Sequence, residues 1–221
     1  KKNNMAQVYI VCGIVTDCGK TYITGFLAKH CIDTDIRCIT QKLVQTGCTT
    51  DIADDIREHR RIMQISLLPE DYNHSTNPYV FQFPASPHLA AQLESVTIDV
   101  TILQQHIHTL AQSYDIVLSE AAGGLCVPLT PTYLFSDFIQ QSGYPIILVS
   151  SSKLGSINHT LLSIEFCKTH NITIHAIVYN VFPDSDPGIA ESSYQFLEAY
   201  CKQILPATLF VRNSQIKAIP L

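Results

Sequence analysis

The stretch Gly13-Ile14-Val15-Thr16-Asp17-Cys18-Gly19-Lys20-Thr21 constrains the fold more than any other part of the chain. Ahead of it runs Val8-Tyr9-Ile10-Val11-Cys12, apolar and rich in β-branched side chains, which reads as a buried strand. Behind it, Ile23, Phe26, Leu27 and His30 recur at helical spacing. Strand, glycine loop ending in Gly-Lys-Thr, then helix is the order that a phosphate-binding loop requires. N–H groups of the loop and of the helix terminus point at the anion. Gly19 lets the backbone come close to it. Lys20 is placed to reach the outer phosphates, and the Thr21 hydroxyl to ligate Mg²⁺. Gly13 lies one residue further from the Gly-Lys pair than in the common pattern, so the loop is a variant.

Strand and helix signals alternate from there on. Strands are predicted at 36–42, 115–119, 144–150, 172–179 and 209–211. Helices are predicted at 51–65, from Pro87 with Ser86 as N-cap, and at 98–113, 133–142, 156–170 and 188–203. Residues 69–84 read as irregular and aromatic. No repeat, linker or low-complexity segment interrupts the alternation. It predicts one α/β domain over residues 5–221, with a mostly parallel central sheet and helices on both faces. Lys1–Asn4, ahead of Met5, read as an expression remnant. In such sheets ligands bind beyond the carboxyl ends of the strands. The segments around Thr16–Thr21, Lys42–Gly47, Glu120–Gly124, Lys153–Ser156 and Asn180 all follow strand ends, so they are expected to converge on one edge.

Composition narrows the partners. The chain has 221 residues, 46% of them hydrophobic, enough for a sizeable core. The net charge of −5 and the lack of any Lys/Arg stripe argue against nucleic acid. No apolar run is long enough to span a membrane, and no signal peptide is visible. None of the eight cysteines forms a Cys-x-x-Cys pair, which disfavours zinc and suits reduced thiols in a cytoplasm. Cys18 stands out only by its position inside the phosphate loop.

Several groups carry chemistry. Glu120 ends an apolar strand, where its carboxylate can approach Mg²⁺. Asp54 or Asp55 can complete the metal shell, although acids in a first helical turn are also favoured by the helix dipole. Lys42 at a strand end would put a second cation beside Lys20, and positive charge around a transferring phosphoryl group is the main device of that chemistry. Leu154-Gly155-Ser156-Ile157 opens a helix and offers a second anion site. His88 and His159 suit packing as well as ligand contact. Asn180 can offer a donor and an acceptor to a flat base, or serve as a strand-end turn residue.

Together these motifs resemble the dethiobiotin synthetase family. The matching pieces are Gly13-x-x-Thr16-x-x-Gly19-Lys20-Thr21, Lys42-x-Val44-x-Thr46-Gly47, Asp55, Ser86-Pro87-His88, Glu120-x-Ala122-Gly123-Gly124-Leu125, Lys153-Leu154-Gly155-x-Ile157-Asn158-His159, Asn180 and Ile219-Pro220. They span nearly the whole chain in the family's order. The resemblance implies a P-loop NTPase-like three-layer fold and a cyclo-ligase that turns 7,8-diaminopelargonate and CO₂ into dethiobiotin at the expense of ATP. It implies catalytic roles for Lys20, Lys42, Thr16 and Thr46. It implies nucleotide contacts from Gly13 and Thr16 through Thr21 (Asp17, Cys18, Gly19), and from Gly123, Gly124, Asn180, Ile219 and Pro220. Mg²⁺ would be held by Thr21, Asp55 and Glu120. The substrate carboxylate would meet Leu154, Gly155, Ser156 and Ile157 of a neighbouring subunit in a homodimer, with Tyr194 as a further contact. The chain departs from the family at Ile14, Val15, Leu43 and Ala121; Ala121 would disturb the phosphate edge if its φ had to be positive. The chief rival is a nucleotide-switched ATPase of the partition type, but such proteins carry an extra lysine where Ile14 and Val15 stand.

Overall fold

The computed structural model describes residues 6–221; the expectation for Lys1–Asn4 lies outside them. In chain order the elements are β1 (Gln7–Gly13), α1 (Lys20–Asp33), β2 (Cys38–Lys42), β3 (Val44–Gln45), α2 (Asp54–Met63), α3 (Pro69–Tyr72) and β4 (Tyr79–Val80). There follow α4 (Pro87–Leu93), α5 (Val100–Ala111), β5 (Ile116–Gly124), β6 (Pro128–Thr130), β7 (Tyr133–Leu134) and α6 (Phe135–Ser142). The last are β8 (Ile146–Ser151), α7 (Ser156–Thr169), β9 (Ile174–Asn180), α8 (Pro187–Ile204), β10 (Leu209–Arg212) and a 3₁₀ turn over Asn213–Ala218.

Six strands form one all-parallel sheet in the order β10-β9-β8-β1-β5-β2. Parallel strands covered on both faces need continuous apolar runs. Ile10–Cys12, Val117–Leu118, Ile146–Val149 and Ala176–Tyr179 are accordingly fully buried. The winding reverses beside β1, so the carboxyl ends of β1, β5 and β2 open onto one crevice.

Helix α1 buries Ile23, Leu27 and Cys31, one turn apart each, against the sheet. Gly25 of the same helix abuts α2; a Cβ there would lie 2.9 Å from Ile62 Cδ1, so only glycine allows this approach. Helix α2 is further held by Arg60, which is 2% exposed and donates from Nε and Nη2 to Asp71 at 2.9 and 2.7 Å and from Nη1 to Thr40 Oγ1 at 2.7 Å. Burial alone would raise the Asp71 pKa, but the Arg60 guanidinium outweighs it and holds the carboxyl below its ordinary range. This fork fixes the face that α2 presents to β2 and β5.

The predicted strand at 115–119 is longer in the structure, because β5 continues through the glycine pair to Gly124. Residues 133–134, predicted as helix, pair with 128–130 as a short antiparallel ribbon before α6 begins. The stretch 69–84 holds a four-residue helix and one strand of a two-residue parallel pair with β3. Among the described residues no helix is long and apolar enough to cross a membrane.

Candidate active site

The turn between β1 and α1 has the backbone that a phosphate cradle needs. Gly19 caps α1 with φ +97°, where a Cβ would run into the Asn180 amide. Asp17 adopts φ +58°, a left-handed value that Asp tolerates better than most residues. A Cβ on Gly13 would stand 2.5 Å from Cys18 Sγ, so Gly13 is needed for the loop to close on the buried thiol. Lys20 folds back over this turn and donates to the Val15 carbonyl at 3.3 Å.

Facing the loop, β2 and β5 deliver an ion cluster. Lys42 and Glu120 are direct register partners in the parallel pair, so their side chains leave the same face. Lys42 Nζ donates to Glu120 Oε1 at 2.8 Å, to Asp55 Oδ2 at 2.5 Å and to the Ala121 carbonyl at 3.3 Å. Thr21 donates to Glu120 Oε1 at 3.1 Å, and His59 Nε2 lies 2.8 Å from Glu120 Oε2. Burial opposes the Lys42 charge, yet Glu120 and Asp55 overcome it and raise its pKa above the ordinary lysine value. Burial also opposes the Glu120 charge; Lys42 first and His59 second overcome that and hold its pKa far below the carboxylate range. Lys42 and Glu120 are therefore both charged at neutral pH, with the ammonium set between the Glu120 and Asp55 side chains.

Loop and cluster line one open cavity of about 560 Å³. It gathers Thr16, Asp17, Gly19, Lys20, Thr21, Lys42, Gln45, Thr46, Glu120, Gly123 and Lys153, as the strand-end reading expected, and adds Asp55, Glu58 and Phe182. Lys153 Nζ donates to the Asp17 carbonyl at 2.9 Å and sits 4.5 Å above the Phe182 ring. Asp55 lies 2.5 Å from Lys42 and lines the cavity, whereas Asp54 is exposed and does not. The donor set of Thr21, Asp55 and Glu120 fits Mg²⁺: all oxygen, two carboxylates, one excess negative charge, and room left for phosphate oxygens and water.

Other residues fall elsewhere. Cys18 is buried beneath the loop, and Gly124 opens on a neighbouring crevice instead. Asn180 ties the loop to the 3₁₀ turn. Its Nδ2 donates to the Cys18 carbonyl at 3.1 Å, and its Oδ1 accepts from Asn213 at 3.0 Å. The groove beside it, about 410 Å³, runs between α1 and the 3₁₀ turn and is lined by Tyr22, Phe26, Lys29, His30, Asp33, Asn213, Ser214, Ile216 and Lys217. Ile219 and Pro220 are not among these residues: Ile219 is buried, and the Pro220 carbonyl accepts from His175 at 2.8 Å.

Tyr194, expected as a further substrate contact, does not line the phosphate cavity. It sits on the inner face of α8 against Tyr179 and Phe210, covered by the Arg212 guanidinium at 3.9 Å, and its hydroxyl donates to Glu198 at 3.1 Å. Leu154 is 95% exposed at the entry to α7, and Gly155 caps that helix with φ +89°. Ile157 is half-buried; Ser156 is buried, its hydroxyl bonds Ser151 at 2.7 Å and its backbone N–H donates to the Lys153 carbonyl at 3.1 Å. The concern over Ala121 dissolves: it lies within β5 without a positive φ, and the left-handed position falls on Gly123 at +68°. His88 bonds Ser86 Oγ at 3.0 Å, a local helix-start contact.

The parallel order, the loop on β1 and the ion cluster on β2 and β5 define an α/β P-loop nucleotide-binding protein. A family model described as an AAA domain matches residues 7–209. ATP-dependent dethiobiotin synthetase BioD 2 of Pasteurella multocida (strain Pm70) is 46% identical over 206 residues, 93% of this chain and 96% of that protein. ATP-dependent dethiobiotin synthetase BioD of Chlorobaculum tepidum is 47% identical over 197 residues, 89% and 82% of the two chains. The chain belongs to the dethiobiotin synthetase family. Among solved structures, pnob8 ParA superposes with a TM-score of 0.55 at 11% identity, covering 92% of this chain and 82% of that one. A ParA family ATPase from Chlorobium tepidum TLS gives 0.52 at 12%, covering 93% and 83%. These last two likenesses concern the fold alone.

Proposed function

We propose that this chain, acting through residues 5–221 as one P-loop ligase domain, uses ATP to carboxylate 7,8-diaminopelargonate and close it to dethiobiotin. The observation that carries this reading is the meeting of Lys42 and Thr46 with Lys20 and Thr21 across one cavity. A switch ATPase of the partition type carries its extra lysine within the phosphate loop, where this chain has Ile14 and Val15, and gives no reason for Lys42-x-Val44-x-Thr46-Gly47 at the end of β2.

One substrate amine captures CO₂ as a carbamate. A carbamate oxygen attacks the γ-phosphorus of ATP and ADP leaves, giving a carbamic–phosphoric anhydride. The second amine then attacks the carbonyl carbon, phosphate departs and the ureido ring closes. Carbamate and triphosphate are both anionic, so their approach requires fixed positive charge. Lys20 supplies it from the loop and Lys42 from β2. Thr16 and Thr46 orient the reacting oxygens by hydrogen bonds, and positioning provides much of the remaining rate. Thr21, Asp55 and Glu120 would hold Mg²⁺, which when bound neutralises phosphate charge. The base is placed in the groove between Tyr22, Phe26 and Asn213–Lys217, which adjoins the phosphate cavity through Tyr22. Asn180 then acts from behind, by holding the loop carbonyl of Cys18.

The substrate carboxylate is assigned to the N–H groups of Gly155, Ser156 and Ile157 of a second copy in a homodimer. Support comes from exposed Leu154 just before α7 and exposed Leu162 on it. A crevice of about 510 Å³ beside them is lined by Ile14, Val15, Leu125, Val127 and Phe166. The eight cysteines are free thiols and only Cys126 is exposed, which supports a reducing cytoplasm. The test is phosphate release from MgATP and bicarbonate with and without the diamine, with the product read by mass. Release that depends on the diamine and yields dethiobiotin is expected; slow release indifferent to it would discard the substrate and favour a switch ATPase.

A further inference from the structure

We propose that His59 is a positioning residue that fixes the Glu120 carboxylate for the metal. Glu120 and His59 are both fully buried, so every oxygen of that carboxylate needs a protein partner. Oε1 accepts from Lys42 at 2.8 Å and from Thr21 at 3.1 Å. Oε2 has one side-chain partner, His59 Nε2 at 2.8 Å. Because the carboxylate is ionised and can only accept, the ring is assigned as the donor through Nε2–H.

The other ring nitrogen shows what the histidine is for. His59 Nδ1 is the one buried side-chain polar atom without a partner among the described residues. Among the described residues the ring is therefore anchored by a single hydrogen bond, the one to Oε2. His59 also lies four residues after Asp55, on the same face of α2. One helix therefore presents a carboxylate to Lys42 and a donor to Glu120, and the Arg60 fork next to His59 locks that face in place. With Oε2 held, the carboxylate cannot rotate, and Oε1 stays turned toward Thr21 and the phosphate cavity. Partners of this kind behind a ligating group commonly set metal affinity.

The inference rests on Glu120 being a metal ligand, so the test reads both. Mn²⁺ binding to the complex with a non-hydrolysable ATP analogue is measured by electron paramagnetic resonance, alongside the Mg²⁺ concentration for half-maximal turnover. His59→Leu is expected to weaken Mn²⁺ about ten- to a hundredfold. It should leave binding of the analogue without metal unchanged. His59→Gln, whose amide reaches the Nε2 position, should restore most of the affinity, whereas His59→Asn, which is too short, should not. Equal Mn²⁺ affinity in the Gln and Asn variants overturns the inference even if the Leu variant fails to fold. Unchanged affinity in a folded Leu variant overturns it too. Glu120→Gln separates the two readings: if it keeps Mn²⁺ affinity, the metal assignment fails, and if it alone loses it, only the role of His59 fails.

Discussion

Replacing Lys42 by Met removes one charge from a buried cluster and keeps most of the side-chain volume. Lys42 Nζ and Glu120 Oε1 are 2.8 Å apart, with side-chain exposures of 6% and 1%. At an effective dielectric of about 20, that contact has a gross attraction of about 6 kcal/mol. Removing the ammonium also relieves its own desolvation, which returns part of this. What remains is an uncompensated buried carboxylate, and the net loss is expected to be about 3–5 kcal/mol. The variant stays folded if the parent has the usual stability of about 5–15 kcal/mol.

The pH dependence has a definite sign. In the parent, the Glu120 pKa lies below its ordinary value, so its stabilisation is present at neutral pH and is lost only on strong acidification. In the variant, burial acts with its main opponent gone, and Glu120 takes up a proton far more readily. The gap between the two proteins should therefore be widest at pH 8 and narrow toward pH 5. Urea unfolding of both proteins, at one protein concentration across that range, measures it. A gap below about 1 kcal/mol at pH 7.5, or one that widens on acidification, would refute the reasoning. If Lys42 has the proposed role, turnover should fall by at least about a hundredfold, since a fixed cation beside the phosphates is lost.

Lys20→Ala should cost as much turnover as Lys42→Met but only about 1 kcal/mol of stability, because among the described residues Lys20 donates to one carbonyl and pairs with no carboxylate; steady-state rates and urea midpoints separate the two lysines. Tyr194→Phe should leave kcat and KM for the diamine within about twofold, since it loses only the Glu198 bond beneath α8; a large rise in KM would return Tyr194 to the substrate site. Light scattering should report a dimer for the parent, and Leu154→Glu, which places a charge on the most exposed apolar side chain, should give monomer with a raised KM for the diamine.

Local chemistry made much of this legible in advance. Val8–Cys12 and the Gly-Lys-Thr turn announced β1, the loop and α1, because burial and phosphate binding both act through neighbouring residues. Strand ends were enough to predict that Thr16, Lys42 and Glu120 meet, since in parallel sheets those ends share one edge. Non-local partners were not legible. The Asn180 amide bonds the Cys18 carbonyl and Asn213, the first of them 162 positions away in sequence. The packing of Tyr194 against Phe210 and Arg212 likewise joins α8 to a strand that comes after it in the chain. His59 gave a faint signal, four residues after Asp55 on a helix. Nothing nearby in sequence said that Glu120 would lie against it.

The register that sets Lys42 beside Glu120 also ties catalysis to assembly. A slip of one residue between β2 and β5 would turn the lysine to the opposite face of the sheet. The ion pair thus serves as a proofreading mark: it closes only when strands separated by 78 positions have found their native alignment. Contacts so distant along the chain form late, after local helices and turns. A refolding population therefore recovers its helical signal before its catalytic competence, and the recovery of turnover times the closure of the sheet.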